Sequence, residues 1–439
     1  MRFYNRKQEI QELEKLFNQS KQSGKLAVLT GRRRLGKTLL AVEFAKNHPF
    51  FYFFVEKKPE ILLCEDYLLT LKDKLPFPIV GEVKRFKDIF LLLIEYAKKN
   101  PVIVIIDEFQ EFFTINPSVY SEIQNLWDLH KNESKMLLIT VGSVYSLMHK
   151  IFEDKEEPLF GRADRIFKLT PFSIPTLKEI LSDFNITTLD TLFDFYVLTG
   201  SVPKYVDILM TNGITSKGEI LDFMLAEFSP FLDEGKNFLI EEFGKEYGTY
   251  FAILELMSLG KTSRPEIESI LSKDIGGYLE KLESTYNLIY RIMPFDEKPA
   301  SRNIKYALKD PFLNFWFRFI YRNRSAIEIK NFNYVLQIID RDYPTYCEKF
   351  LERFFLDLLA LQKKYNRIGS YWESKNLNEI DIVAVNDLEK KIFLAEVKIN
   401  PKKLNLHKLQ QKAVNLLMHY KYYEVEWGCL SLPDAVKYL

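Results

Sequence analysis

Residues 25–47, KLAVLTGRRRLGKTLLAVEFAKN, run from an apolar β-type segment through a short basic turn into a helix-forming segment. The turn places four residues between Gly31 and Gly36 and follows them with Lys37 and Thr38. Glycines let a backbone curl tightly enough to aim successive N–H groups at one anion. The helix that follows adds free N–H groups and the positive end of its dipole. A lysine at this point reaches terminal phosphates, and the next hydroxyl can ligate Mg²⁺. Gly31, Arg32, Arg33, Arg34, Leu35, Gly36, Lys37, Thr38 and Leu39 are thus candidate nucleotide contacts. Lys37 is also a candidate catalytic group. The three arginines are equally open to contacting a partner or to solvation.

Working outward, 50–56, 101–107, 135–142 and 165–172 read as further buried strands, with amphipathic segments between most of them. Such alternation predicts an α/β unit with a largely parallel sheet. In VIVIIDEF (102–109), Asp107 and Glu108 end an apolar strand, where ligands bind in open α/β sheets. Asp107 is a candidate Mg²⁺ ligand together with Thr38, and Glu108 a candidate general base. For Glu108 alone, a helix N-terminal acid is the plain alternative. Ser143, after the fourth strand, is placed to sense a γ-phosphate or an attacking water, or to cap a helix. Arg162 is a candidate for completing the charge on a transferring phosphoryl group, in cis or from a neighbouring subunit, or else a surface arginine. The expected ligands are ATP and Mg²⁺.

The whole chain has 439 residues, enough for two or three domains. A net charge of +1 excludes a global nucleic-acid footprint, so any such surface is local. Cys64, Cys347 and Cys429 are far apart and show no metal spacing, which fits a reducing, cytoplasmic setting. MRFYNRKQEI has no signal-peptide character, and the longest apolar run, IFLLLIEYA (89–97), is too short to span a bilayer. No membrane association is expected.

From 173 to 245 the pattern turns helical. Residues 246–330 read as three short helices and a hairpin, the winged-helix plan. Its IGGYLEKLESTY (275–286) sets Glu280 and Glu283 beside Lys281, which favours protein contact over DNA reading. The hairpin tip, with Lys298, Arg302 and Lys305, remains a surface for a phosphate backbone.

Residues 340–439 open with a helix and continue with EIDIVAVNDLEKKIFLAEVKIN (379–400). If Asp387–Lys390 form the turn, Asn386 pairs with Lys391 and Asp381 falls opposite Glu396. Lys398 then shares their face. Two carboxylates directly opposite need a neutralising group, a divalent cation or the lysine. Asp381 and Glu396 are candidate ligands for Mg²⁺ or Mn²⁺, and Asp381, Glu396 and Lys398 candidate catalytic residues for phosphodiester cleavage. An internal ion pair is the alternative. Lys402, Lys403, Lys408 and Lys412 follow with no acid before Glu424 and form a local basic patch.

GRRRLGKT, IIDEFQ, LFGRADRIFKLTPF and LTGSVPKYV together resemble the archaeal-type P-loop ATPases, related to the signal-transduction ATPases of the AAA-like branch. The resemblance extends over nearly the whole chain, and its first two motifs are the most specific. It implies that the N-terminal box FYNRKQEI, with Phe3, Arg6 and Glu9, lies by the adenine, and that Gly200 to Pro203 form a lid motif. LKDPFLNFWFRFI (308–320) resembles the segment that joins a winged helix to a C-terminal domain of PD-(D/E)xK nuclease type. Glu352 matches the upstream acid of that type and is a further candidate ligand.

The expected architecture is α/β. A P-loop NTPase parallel sheet (1–172) is followed by a helical lid (173–245), a winged-helix domain (246–330) and an α/β restriction-endonuclease-like domain (340–439). The expected function is MgATP hydrolysis coupled to a metal-dependent nuclease-like domain that acts on or grips DNA. The alternative is an ATP-dependent switch or scaffold for a protein partner or a homo-oligomer, with an inactive docking domain. A metabolic kinase would leave the additional domains unexplained.

Overall fold

The computed structural model describes residues 2–439 apart from 73, 80, 245–246, 299–302 and 374–376. The chain divides into two compact units, residues 2–171 and residues 172–439.

The first unit is built on five strands: β1 (Lys25–Thr30), β2 (Phe50–Phe54), β3 (Val102–Asp107), β4 (Met136–Val141) and β5 (Arg165–Lys168). They pair in parallel in the order β2-β3-β4-β1-β5. β3 and β4 are buried at every position, so apart from Thr140 and the terminal Asp107 their side chains are apolar rather than alternating. A core of Phe51, Phe53, Phe86, Phe90, Phe109 and Phe112, with Tyr120 and Trp127, packs between the sheet and the helices Glu60–Lys72, Phe86–Lys99 and Ser118–His130. All five strands share one direction, so one edge of the sheet collects the segments that follow β1, β3 and β4.

The second unit begins with helices Ile174–Asp183, Leu189–Thr199, Pro203–Thr211, Lys217–Met224 and Phe231–Phe243. Helices Tyr247–Ser258, Arg264–Leu271 and Gly276–Glu280 precede an antiparallel hairpin of β6 (Ile289–Ile292) and β7 (Lys305–Leu308). A 30-residue helix, Phe332–Leu361, carries Pro344 in its interior. The last sheet has the order β11-β10-β9-β8, with β8 (Arg367–Tyr371), β9 (Ile380–Asn386) and β10 (Lys391–Val397) antiparallel in turn. β11 (Glu424–Leu430) runs parallel to β10, and helices Leu406–Lys412 and Val414–Leu417 connect them.

The hairpin does not stand free. The Phe295 N–H donates to Ser370 O at 2.8 Å, which attaches the loop to β8. The Phe295 ring enters the core beneath β9 and β10. Asp296 accepts from Arg367 and Tyr420. Lys305 pairs with Glu379 at 3.0 Å and lies over Trp372. For Lys305 this corrects the expectation that the hairpin tip offers its cations to a phosphate backbone, since that lysine is engaged by Glu379 and Trp372; Lys298 is exposed, and Arg302 lies outside the described residues. Among the described residues no helix is long and apolar enough to cross a membrane.

Two part-buried hydrogen bonds tie an early helix of this unit to its long helix. Tyr196 Oη donates to Asp357 Oδ2 at 2.8 Å, and Tyr343 Oη donates to Asp194 Oδ1 at 2.7 Å. Burial pushes the Asp194 carboxyl up to about 6 against the pull of Tyr343 and Lys217. A raised carboxyl makes the fold bind its proton more tightly than the unfolded chain does. Its stability contribution is therefore full below the ordinary carboxylate range and is lost as pH rises towards 6. Asp194→Asn is expected to be more stable than the parent at neutral pH, by roughly 1–2 kcal/mol for this half-buried group. The advantage should vanish in acid when thermal unfolding is followed at both ends of the range.

Candidate functional site

At the shared edge of the first sheet the chain leaves β1 through a turn whose geometry needs its glycines. Gly31 has φ 137°, and a Cβ there would come within 2.7 Å of Leu169 O. Gly36 has φ 79° and caps the helix Lys37–Ala45. Lys37 is buried and donates from Nζ to Gly31 O and Arg32 O, each at 2.9 Å. Arg33 is exposed, Arg32 and Arg34 are half-buried, Leu35 is buried and Leu39 is exposed.

Two strands away, Asp107 gathers three donors. Thr38 Oγ1 donates to its Oδ2 at 2.7 Å, Tyr52 Oη to the same oxygen at 2.9 Å, and the Glu108 N–H to Oδ1 at 2.8 Å. Burial raises the Asp107 carboxyl, and those three donors pull it back. Tyr52 is itself driven upward, first by burial and then by the Asp107 charge.

Glu108 sits in the left-handed region at φ 52°, a conformation that costs a residue with a Cβ roughly 1 kcal/mol. Its Oε2 accepts from Ser143 Oγ at 2.7 Å and from Gln110 Nε2 at 2.5 Å. Thus Lys37, Thr38, Asp107, Glu108 and Ser143 lie along one edge, joined in part by direct hydrogen bonds. Arg6, also left-handed at φ 67°, donates to Thr170 O at 2.6 Å and pairs with Glu9 at 3.2 Å. That fastens the N-terminal box to the segment after β5. Burial lowers the Arg6 guanidinium, with Glu9 opposing. Arg162 is engaged by Asp128 at 2.7 Å and by the carbonyls of Pro158 and Phe160, so reaching a phosphoryl group would mean giving up that ion pair. Pro203 opens its helix in the second unit, after Gly200 at φ 59°.

The second cluster lies in the last sheet. The β9–β10 ladder pairs Asn386 with Lys391 and ends at Ile382 with Ala395; Asp381 and Glu396 are the next residues beyond it on each strand. Each is only 7% exposed, on strands whose other buried residues are Ile, Val, Leu, Phe and Ala. Asp381 Oδ2 accepts from the Val397 N–H at 2.8 Å and from Lys398 Nζ at 3.2 Å. Glu396 Oε1 lies 3.2 Å from Lys412 Nζ and 4.0 Å from Lys398 Nζ. Glu396 Oε2 is buried without a hydrogen-bond partner. Burial raises the Asp381 carboxyl, while Lys398 and the Val397 N–H oppose it. Burial works against the Lys398 ammonium, but Asp381, Glu352 and Glu396 outweigh it and hold the group above its ordinary value. Glu352, on the long helix, is raised strongly, by burial first and the Asp381 charge second. Among the described residues no three His, Cys, Asp or Glu side chains gather as a metal-holding set.

Residues 3–209 match the model of an ATPase domain found predominantly in Archaea, and residues 316–412 match a domain of archaeal and bacterial proteins of unknown function. An uncharacterised protein of Methanocaldococcus jannaschii is 30% identical over 415 residues, covering 90% of this chain and 87% of that protein. The chain belongs to this archaeal ATPase family. An uncharacterised ATP-binding protein of the same organism is 47% identical over 45 residues, 10% of this chain and 73% of the relative. The Walker-type ATPase of Pyrococcus abyssi, at 20% identity and a TM-score of 0.55, covers 72% of this chain and 96% of its own and shares the fold.

Three side chains of this archaeal ATPase escaped the sequence reading. Tyr52 lies in the aromatic run FFYFF, where its hydroxyl was the only hint of a polar duty. Gln110 follows Glu108 by two residues, a spacing that brings it back only because Glu108 is left-handed. Lys412 was visible as part of a basic patch but not as the partner of Glu396. For the first cluster, Glu108→Gln keeps shape and removes the basic oxygen. Phosphate release from ATP is expected to fall by about 10²- to 10⁴-fold. Affinity for a fluorescent ATP analogue should stay within a factor of about three, which separates loss of chemistry from loss of binding.

Proposed function

We propose that the protein hydrolyses MgATP on the edge formed by residues 31–38, Asp107, Glu108 and Ser143, and couples that cycle to a nuclease-like C-terminal domain acting on DNA. The ATPase half is supported by the family and by the three-donor grip on Asp107 beside the Gly31–Thr38 turn. Lys37 turns from its loop carbonyls to the terminal phosphates, and backbone N–H groups of the turn take the remaining oxygens. Thr38 and Asp107 are the residues that would hold Mg²⁺, which supplies charge neutralisation at the phosphate oxygens. Glu108 accepts the proton of the attacking water while Ser143 and Gln110 fix its carboxylate.

One observation carries the nuclease-like half: two carboxylates on adjacent strands are buried side by side under Lys398, and one oxygen of Glu396 has no partner. A buried carboxylate oxygen left unsatisfied costs about 1–3 kcal/mol or more unless a cation answers it. The pair therefore fits a divalent ion held by two carboxylates, with water and substrate phosphate completing its shell. Such an ion supplies polarisation of the phosphodiester and an acidified water. Lys398 donates towards charge that develops on the phosphate. The segment from 246 to 308, three helices and a hairpin, is read as a winged helix used for internal packing, given how fully its hairpin is bound to β8.

A second reading, an ATP-dependent switch with an inactive docking domain, has one observation in its favour: two lysines already neutralise the two acids. Incubation with single- and double-stranded DNA and RNA, with and without ATP, across Mg²⁺ and Mn²⁺ separates the two. Metal-dependent cleavage that disappears in both Asp381→Asn and Lys398→Ala is the expected result. Strand breakage surviving in both variants, or none under any condition, would turn the reading to the switch. Lys37→Ala is expected to abolish ATP turnover, and unchanged turnover would reject the nucleotide assignment.

A further inference from the structure

Between Val397 and Tyr423 the chain carries Lys398, Lys402, Lys403, Lys408, Lys412 and Lys421 and no acid. Helix Leu406–Lys412 buries Leu409, and Ala413 and Leu416 continue the same inward face. Lys408 and Lys412, four residues apart, share one flank of it. Lys412 bonds Glu396 from that flank, so the flank borders the carboxylate pair, with Lys408 one turn further along and exposed.

The two acids and the two lysines that bond them sum to zero charge. Asp381 and Glu396 contribute two negative charges, Lys398 and Lys412 two positive ones. Adding a divalent cation alone leaves two uncompensated positive charges against carboxylates that are more than nine-tenths buried, an unfavourable state. Either an ammonium withdraws or an anion enters. Lys398 is poorly placed to withdraw. Its backbone N–H is tied to Leu430 O at 3.0 Å, and its ammonium bridges both acids. Lys412 touches only Glu396 among the described ion pairs, and its helix ends at that residue.

We propose that Lys412 is a removable counter-ion of the carboxylate pair: a nucleic-acid backbone draws its ammonium onto a phosphate, and the divalent ion takes its place on Glu396. This rests on reading Asp381 and Glu396 as metal ligands. Metal and phosphodiester then load together. Each phosphate brings a negative charge that offsets the incoming cation, and the lysine that leaves the acid finds a partner on the same flank as Lys408. The unpartnered Glu396 Oε2 fits the exchange, since a cation can take both oxygens of a carboxylate that the lysine meets through one. Lys412 acts here as a positioning residue that sets the order of loading, and the site stays weakly metallated until substrate arrives.

Free Mn²⁺, counted by electron paramagnetic resonance in titrations of the nucleotide-free full-length protein, reads this directly. The parent is expected to bind Mn²⁺ weakly at this site and to bind it about tenfold more tightly when a short DNA duplex is added. Lys412→Gln should bind Mn²⁺ alone about tenfold more tightly than the parent, because a like charge beside the ligand is gone. It should gain little from DNA. Lys412→Arg keeps the charge and should follow the parent, and circular dichroism verifies that both variants are folded. Polyglutamate, a polyanion without phosphodiesters, should not tighten Mn²⁺ binding.

Equal Mn²⁺ affinity in the parent and Lys412→Gln, with loss in Glu396→Gln, would overturn the role of Lys412 and leave the metal site standing. Equal tightening by polyglutamate would overturn the phosphodiester as the trigger. Unchanged Mn²⁺ binding in both Asp381→Asn and Glu396→Gln, with and without DNA, would remove the metal site itself.

Discussion

A carboxylate buried at the tip of a strand must be answered by donors, and at Asp107 that requirement organises the first unit. Its three partners come from three places: the first turn of the helix Lys37–Ala45, the edge strand β2 and the residue that follows Asp107 itself. Thr38 reaches Asp107 across a sheet in which β1 and β3 run parallel with β4 between them. To present the Glu108 N–H, the backbone must turn sharply, and the left-handed φ of Glu108 results. That turn lets Ser143 and Gln110 reach the Glu108 carboxylate. One desolvated charge thereby ties together the helix after the Gly31–Gly36 turn, the edge strand and the residue that follows β3.

The second buried pair meets the same requirement differently. Neutral hydroxyls and amides surround Asp107, whereas ammonium groups accompany Asp381 and Glu396. A site satisfied by neutral dipoles accepts a cation by reorienting them. A site satisfied by cations accepts another only by exchange. The two halves thus differ in electrostatic starting point although both rest on acids at strand ends.

Much of this was legible in the chain. The Gly31–Thr38 spacing and the apolar run ending at Asp107 depend on local rules, so turn, strand and helix appear where periodicity puts them. The pairing of Asp381 with Glu396 followed from counting outward from a tight turn, because strand periodicity is strict. What escaped depends on contacts distant in sequence. β8 (RIGSY) and β11 (EVEWGCL) mix small, polar and charged residues and are largely half-exposed, so neither reads as a buried run. The long helix continues through Pro344, which local rules treat as a boundary. Tyr52, Gln110 and Lys412 gained their roles only when separate strands and helices met.

The docking of Phe295 on β8 has a consequence beyond the acid pair. β8 is the last strand of its sheet, and an outermost strand offers a row of unused amide groups to any other chain. By donating its own N–H to Ser370 and burying its ring beneath the sheet, the hairpin loop occupies part of that row. The hairpin loop thereby shields part of that edge from pairing with another chain, which gives Phe295 a use whether or not the loop ever meets a ligand.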